Sequence, residues 1–218
     1  MSHVLYHARS SAARFGGAPD DYIALHSWFD ATKMAWCDSR HRALRHHDFG
    51  LRLAIGVFGD HISTADGGVE TQAVCHQHLK EDCGRMPTVA DWLASLPEPS
   101  WCRGTSAADD MTLFGKPASD DVKQLIAYFA HPDDELADLP DHARLALRCH
   151  AFGVFEAETH FGPWMDLGAD RQMPTRVYAE RIVAALCGHR VPSVSDWLSP
   201  IRKRCWMNVG YTAAVVAA

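Results

Sequence analysis

The sequence predicts a mainly α-helical protein with small β-hairpins, built from two repeated helical modules packed as a pseudo-dimer. Three observations support this class. Blocks of sequence recur in the same order about 103 residues apart. Apolar residues within a copy fall at helical spacings. An Asp-Gly step between two β-prone segments indicates a tight hairpin turn in the first copy.

The internal repeat is clearest where residues 43–50 match residues 146–153 at an offset of 103. It ends where residues 87–93 match residues 192–198 at an offset of 105, so only two inserted residues separate the outer blocks. The shared positions are mostly apolar residues and turn residues. We therefore interpret them as the positions that both copies need for folding.

A linker is expected between the copies, because residues 97–110 are rich in proline, serine, glycine and aspartate. We place the boundary near Ser106. The first module is then residues 1–105, which hold the histidine-rich candidate site, and the second is residues 106–218, a degenerate repeat.

Within the first copy, residues 32–58 place apolar side chains on one helical face that ends at Gly59, so we expect a helix there. Residues 61–72 are expected to form the hairpin. Two further helices are expected at about residues 73–82 and 88–96, the second opened by a Pro-Thr step.

Composition and charge exclude several classes of function. The chain has 218 residues and a formal charge of -6, which gives no global attraction to nucleic acid or to an anionic membrane. No apolar stretch approaches the roughly 20 residues that span a bilayer, and no signal-peptide core is recognisable. We expect a cytoplasmic protein with no membrane partner and no nucleic acid partner. Phosphate-loop, nucleophile-elbow and dinucleotide-binding motifs are absent from the sequence.

Two motifs characterise the first half of the chain. Residues 40–47 have the sequence Arg-His-Arg-Ala-Leu-Arg-His-His, and residues 77–82 have the sequence Gln-His-Leu-Lys-Glu-Asp. Together with residues 7–12 and 26–30, they resemble a family of short bacterial and phage proteins of unknown function. Members of that family are about one module long. The resemblance implies that such proteins pair as dimers and that this chain is a fused pseudo-dimer. It implies no particular activity.

Histidines and acids are concentrated in the first copy, within a chain that has 14 histidines. His26 and Asp30 are four residues apart, as are His78 and Asp82, which on a helix places both side chains of each pair on one face. Imidazole and carboxylate donors together suit a divalent metal such as zinc, iron or manganese. We predict a metal site with the ligands His26, Asp30, His47, His78 and Asp82.

The repeat itself tests this site. Residues that serve folding should persist in both copies, whereas the ligands of one site lose their value together. The first-copy residues His26, His41, His46, His78 and Asp82 correspond to about Phe129 and to Arg144, Cys149, Ile182 and Leu186 in the second copy. Their joint absence favours a shared role. Asp30 persists as Asp133, which fits a helix cap or a surface acid as well as a ligand.

Three residues are predicted to act in catalysis. His41 or His46 would serve as a ligand or as a general acid or base near neutral pH, and Arg45 would bind an anion. If the segment is helical, His41 and His46 are about 140° apart around the axis, too far for easy chelation of one ion. The alternative is a solvated basic helix face formed with the neighbouring arginines. Arg45 recurs as Arg148, so its role fits a structural one equally well.

His47 has further interpretations. It recurs as His150 and lies among apolar residues, which favours a core histidine with a buried hydrogen bond over a metal ligand. The step His47-Asp48 also resembles the HD dyad of metal-dependent phosphohydrolases, although this dipeptide has little specificity by itself. Ser10 and Ser11 are expected on a helix surface rather than as nucleophiles.

These observations predict a metal-dependent enzyme, hydrolytic or oxidative, with one site in the first module. Its partner would be a small-molecule substrate, and the arginines around the site favour an anionic one. The alternative is a non-catalytic binding or accessory protein, in which the histidine cluster holds a structural metal or an anion.

Overall fold

The structure is a computed structural model that describes residues 3–102, 119–130, 136–167, 171–188, 190–202 and 207. The chain divides into two compact units, Met1–Trp92 with Ile201–Ala218 and Leu93–Pro200. The protein is mainly helical with two small antiparallel hairpins, as the sequence predicts. Among the described residues, no helix has the length and apolar character required to cross a membrane.

The first half of the chain contains helices, one hairpin and two 3-10 helices. The elements in chain order are α1 (Val4–Phe15), α2 (Pro19–Asp30), the 3-10 helices Ala31–Met34 and Ser39–Leu44, α3 (Asp48–Phe58), β1 (His61–Thr64), β2 (Gly67–Glu70), α4 (Thr71–Cys83) and α5 (Val89–Leu93). The hairpin pairs His61 with Glu70 and Thr64 with Gly67. The predicted hairpin and the two predicted helices that follow it are therefore confirmed, with α5 shorter than expected.

The second half repeats this order. Its described elements are α6 (Asp120–Ala130), α7 (Asp141–Leu145), α8 (Ala151–Phe161), β3 (Trp164–Asp166), β4 (Gln172–Pro174), α9 (Thr175–Leu186) and α10 (Val194–Leu198). The helices α8, α9 and α10 follow one another as α3, α4 and α5 do, with a hairpin at the same place. The predicted repetition of one module is confirmed.

The ends of the helices in the first unit follow from local sequence. α2 opens with Pro19, whose fixed φ suits a first helical turn, and Asp21 accepts a hydrogen bond from the Ala18 N–H at 2.8 Å. α4 ends at Gly84, which adopts a left-handed conformation with φ 70°. These signals fix where each helix stops and therefore which side chains face inward.

The helices α1, α2, α3 and α4 pack around one apolar core. The buried residues of this core are Ala8, Tyr22, Leu25, Phe29, Leu51, Ala54, Val74, Cys75 and Leu79. Burial of each large apolar side chain contributes roughly 1.5–3 kcal/mol. The same inward faces of α2 and α4 also carry His26, Asp30, His78 and Asp82, so the core and the candidate site share one interior.

The predicted single helix over residues 32–58 is wrong. Two 3-10 helices occupy the start of this segment, and α3 begins only at Asp48. The side chain of Asp38 accepts a hydrogen bond from the Arg40 N–H at 2.9 Å, and that of His47 accepts one from the Gly50 N–H at 3.0 Å. Each of these side chains starts a new helix, so the apolar spacing continues across a break in helical geometry.

The histidine cap of α3 recurs in the second unit. His150 accepts a hydrogen bond from the Gly153 N–H at 2.8 Å and caps α8 in the same way. Glycine is required at both positions, because a Cβ atom on Gly50 or Gly153 would lie 1.8 or 1.9 Å from a backbone carbonyl oxygen. The His-x-x-Gly turn is thus a shared part of the scaffold.

Candidate metal centre

Four buried side chains of the first unit converge on one point. Asp30, His46, His78 and Asp82 each offer one ligand atom, and these four atoms lie within 4.8 Å of one another. His46 Nε2 lies 3.2 Å from both His78 Nε2 and Asp82 Oδ2, and 3.8 Å from Asp30 Oδ1. All four residues are at most 7% exposed. We call them the four-residue cluster.

Three structural elements bring the cluster together. Asp30 is the last residue of α2, and His78 and Asp82 lie one turn apart on α4. His46 lies in the turn before α3, where its carbonyl oxygen accepts a hydrogen bond from the Trp92 indole at 3.0 Å. Trp197 makes the same contact to the Cys149 carbonyl oxygen at 2.8 Å. The turn that carries His46 is therefore held by the common scaffold.

Burial favours the neutral form of both imidazoles in the cluster. Burial lowers the pKa of His46, and it lowers the pKa of His78 well below the usual value. A neutral imidazole has one N–H and one nitrogen lone pair. Two imidazole nitrogens 3.2 Å apart can share one hydrogen, or both can direct their lone pairs at a cation.

The two carboxylate oxygens of Asp82 have different surroundings. Oδ1 lies 3.0 Å from Arg42 Nη2 and 3.3 Å from His7 Nε2, whereas Oδ2 lies on the side of His46 and His78. Burial acts to raise the pKa of Asp82, but contacts with His46 and His7 outweigh it and hold this pKa far below its usual range. Asp82 is thus an anion with one oxygen anchored and the other facing the imidazoles.

Two of the buried carboxylate oxygens have no hydrogen-bond partner outside the four-residue cluster. Within the part of the chain that the structure describes, Asp30 Oδ1 accepts no hydrogen bond, and Asp82 Oδ2 has only the imidazole nitrogens of His46 and His78 beside it, at 3.2 and 3.9 Å. The other oxygen of Asp30 lies 2.6 Å from Lys33 Nζ. Buried carboxylate oxygens without partners are uncommon, because removing such an oxygen from water is costly unless a hydrogen-bond donor or a cation replaces the water.

A second layer of polar residues surrounds Asp82. His7 Nδ1 lies 2.6 Å from Glu81 Oε2. Burial acts to lower the pKa of His7, but hydrogen bonding with Asp82 and Glu81 outweighs it and raises this pKa to about 9. Ser10 and Gln77 donate hydrogen bonds to Glu81 Oε1 at 2.5 and 2.8 Å. Both oxygens of Glu81 are therefore engaged, which leaves it outside the four-residue cluster.

His26, predicted as a metal ligand, lies behind His78 rather than in the four-residue cluster. Its Nδ1 lies 3.0 Å from His78 Nδ1, and its Nε2 lies 3.0 Å from Ser11 Oγ. Burial, together with the nearby His7, lowers the pKa of His26 to about 3.

Ser11 is fully buried, so its expected place on a helix surface is wrong. Ser11 lies on the inner face of α1, where it contacts His26, and this position explains why it is not exposed.

His41 and His46 do not lie on a solvated face. Both are fully buried, so the alternative of a solvated basic helix face is wrong. The expected separation of about 140° around one α-helix does not apply, because residues 39–44 form a 3-10 helix. His41 Nδ1 lies 2.8 Å from Thr32 Oγ1, and its ring centroid is 5.4 Å from that of His46. Burial, with His46 and Arg42 nearby, lowers the pKa of His41 to about 2.

Arg45 has the same contacts as its counterpart in the repeat. Its guanidinium donates to the Trp28 carbonyl oxygen and lies 4.0 Å above the Trp28 ring. Arg148 donates to the Tyr128 carbonyl oxygen at 2.9 Å and lies 4.2 Å above that ring. Because this arginine contact recurs in the second unit, where His46, His78 and Asp82 are replaced, we interpret it as part of the shared scaffold.

The side chains of His47 and Asp48 make hydrogen bonds with backbone groups in and near the turn before α3. His47 Nδ1 caps α3, and its Nε2 lies 3.2 Å from the Ala43 carbonyl oxygen. Asp48 Oδ1 accepts hydrogen bonds from the Phe49 and Val89 N–H groups at 2.8 and 3.1 Å. Both nitrogens of His47 therefore have partners, and neither residue belongs to the four-residue cluster.

The second unit has apolar side chains and a thiol where the first has polar ones. Phe129, Cys149, Ile182 and Leu186, the counterparts of His26, His46, His78 and Asp82, are at most 2% exposed. Asp133, the counterpart of Asp30, lies outside the described residues. The described part of this unit has a packed interior in place of the cluster.

Three contributors to the site were not predicted from the sequence. His7 and Arg42 anchor Asp82, and Ser11 contacts His26. His7 and Ser11 are four residues apart on α1, the same spacing that singled out His26 and Asp30, so periodicity could have found them. Arg42 gave no such signal.

Fold and cluster together define a two-module helical protein with a buried group of two histidines and two aspartates that can hold a metal. A family model described as a domain of unknown function (DUF6915) matches residues 2–102 and 110–207. The chain belongs to this family and contains two tandem copies of its domain, which confirms the predicted uncharacterised family with a tandem repeat. Comparisons with curated proteins and with solved structures give no match.

Proposed function

We propose that the first module binds one divalent metal ion between Asp30, His46, His78 and Asp82, and that this ion is the functional centre of a metal-dependent enzyme. The observation that carries the proposal is the pair of buried oxygens, Asp30 Oδ1 and Asp82 Oδ2, which have no hydrogen-bond partner outside the cluster and lie beside two imidazoles whose neutral form burial favours. A cation at their centre would satisfy all four atoms at once.

The spacing of the donor atoms fits such an ion. Protein donors bind zinc at about 2.0–2.2 Å, so the donors of a tetrahedral ion lie roughly 3.4 Å apart. The three distances from His46 Nε2 are 3.2, 3.2 and 3.8 Å. Imidazole and carboxylate donors without a thiolate suit zinc, iron or manganese.

The hydrogen-bond chain behind His78 supports the same arrangement. If His78 Nε2 directs its lone pair at the ion, His78 Nδ1 must carry the hydrogen and donate it to His26 Nδ1. His26 Nε2 then donates to Ser11 Oγ. This consistent chain makes His26 a positioning residue, because the partner of a metal-bound imidazole fixes its tautomer and orientation.

Several chemistries suit such an ion. A divalent ion activates a bound water molecule or polarises a bound substrate, which supports hydrolysis, and iron or manganese would support an oxidative reaction. Among the imidazoles outside the cluster, His41 lies beside His46, whereas His26 lies behind His78.

The second candidate function is a structural ion, which the burial of four protein donors favours.

Titration of the metal-free protein with zinc, manganese or ferrous ion tests the proposal. Calorimetry should give one ion per chain, and His78→Ala should abolish that binding. His76→Ala is the matched control, since His76 lies on the same helix outside the cluster, and it should bind like the parent. The absence of stoichiometric binding, or equal binding by His78→Ala, would refute the site.

His26→Ala is expected to weaken metal binding by about 10- to 100-fold while leaving one ion per chain, because a residue behind a ligand tunes the ion without holding it. Competition with a chromogenic chelator measures both quantities. A complete loss of stoichiometric binding would instead make His26 a ligand, as the sequence predicted. Unchanged affinity would remove its positioning role.

A further inference from the structure

The charges around the four-residue cluster do not balance once a metal is bound. Asp30, Glu81 and Asp82 are three carboxylates, and the cationic side chains paired with Asp30 and Asp82 are those of Lys33 and Arg42. A divalent ion would leave this interior with a net positive charge, before His7 between Glu81 and Asp82 is counted. A buried net charge is costly, so the metal-loaded site should attract an anion.

A surface cleft meets the cluster at one of its residues, Asp30. The cleft has a volume of about 590 Å³ and lies between the start of α1 and the Ala31–Met34 turn. Asp30 lines this cleft, whereas His46, His78 and Asp82 do not, and these three are at most 1% exposed. A ligand from solvent would therefore approach the ion beside Asp30.

Lys33 is the cationic residue that lines the same cleft. Its side chain is 25% exposed, and its Nζ lies 2.6 Å from Asp30 Oδ2. Arg42, by contrast, is 1% exposed and donates to the carbonyl oxygens of Asp82 and Met207 at 2.7 and 3.0 Å. Lys33 is thus placed to meet an incoming anion, and Arg42 is committed to the interior.

We propose that a small oxyanion, a carboxylate or a phosphate, enters through this cleft, binds the metal ion beside Asp30 and pairs with Lys33. This inference rests on the proposed metal site and names the class of its substrate. Asp30 is the ligand best placed to make room, since it ends α2 and is the farthest of the three from His46.

The test uses cobalt as the metal and two anions as probes. Cobalt accepts imidazole and carboxylate donors, and its visible absorption responds to a change in ligands. Titration of the cobalt-loaded full chain with acetate, and separately with inorganic phosphate, should change this absorption in a saturable way. Lys33→Gln should weaken anion binding by about 5- to 10-fold, as loss of a partly exposed charge-assisted contact predicts, whereas Lys33→Arg should stay close to the parent.

Lys80→Gln is the matched control, because Lys80 is an exposed lysine on α4 outside the cleft, and it should bind both anions like the parent. Failure of cobalt to bind would overturn the metal site and this inference together. Cobalt binding with no response to either anion would overturn the inference alone and favour a structural ion. Equal anion affinity in Lys33→Gln and the parent would overturn the route past Lys33.

Discussion

Asp82→Asn is expected to lower the affinity of the proposed site for a metal ion by about 100-fold or more, since it would replace a charged donor with a neutral amide of the same shape. It should also destabilise the metal-free protein. The Asp82 carboxylate lies 3.0 Å from the guanidinium of Arg42, and both side chains are 1% exposed. Removing one partner of a buried ion pair costs about 3–5 kcal/mol, because the other charge stays buried.

Calorimetric titration and urea unfolding of the metal-free protein measure these two effects separately. Glu81→Gln is the matched control, since Glu81 neighbours Asp82 and contacts His7 but belongs to the second layer. It should bind one ion within about tenfold of the parent affinity. If Asp82→Asn binds metal as tightly as the parent, Asp82 is not a ligand.

Gly50→Ala is expected to destabilise the first module by about 3 kcal/mol or more. A Cβ atom at this position would lie 1.8 Å from the Arg45 carbonyl oxygen, a backbone atom that cannot rotate away. The turn would have to open, and with it the position of His46. Metal affinity should therefore fall together with the free energy of unfolding.

Two glycines provide controls for this substitution. Gly153→Ala meets the same obstruction at 1.9 Å from the Arg148 carbonyl oxygen, so it should destabilise the second unit while the metal site stays intact. Gly56 lies within α3, where an added methyl group would meet no described atom within 4 Å. Gly56→Ala should therefore stabilise the protein by about 0.5–1 kcal/mol. Equal urea midpoints for Gly50→Ala and Gly56→Ala would contradict the role of the turn.

The internal repeat made much of the candidate site predictable. His46, His78 and Asp82 were singled out because the second copy lacks all three, and the structure brings these residues together. Asp30 was included through its spacing from His26. The i to i+4 rule placed His26 on the inward face of α2, but the rule cannot tell a residue of the four-residue cluster from a residue behind it, since both point inward.

The rest of the site depended on backbone geometry that apolar periodicity does not encode. The segment before α3 has helical spacing, yet His47 caps a new helix, and histidine is not among the usual capping residues. That break turns His46 toward the interior. Arg42 entered the sequence analysis only within the alternative of a basic helix face near His41 and His46, because a fully buried arginine is expected only where partners such as the Asp82 carboxylate are known.

The most direct test of the metal centre is an anomalous difference map from a crystal of the full chain grown with manganese or zinc. We expect one strong peak at about 2.0–2.2 Å from Asp30 Oδ1, His46 Nε2, His78 Nε2 and Asp82 Oδ2. A map with no peak among these four atoms, in crystals that hold the metal elsewhere or not at all, would contradict the account.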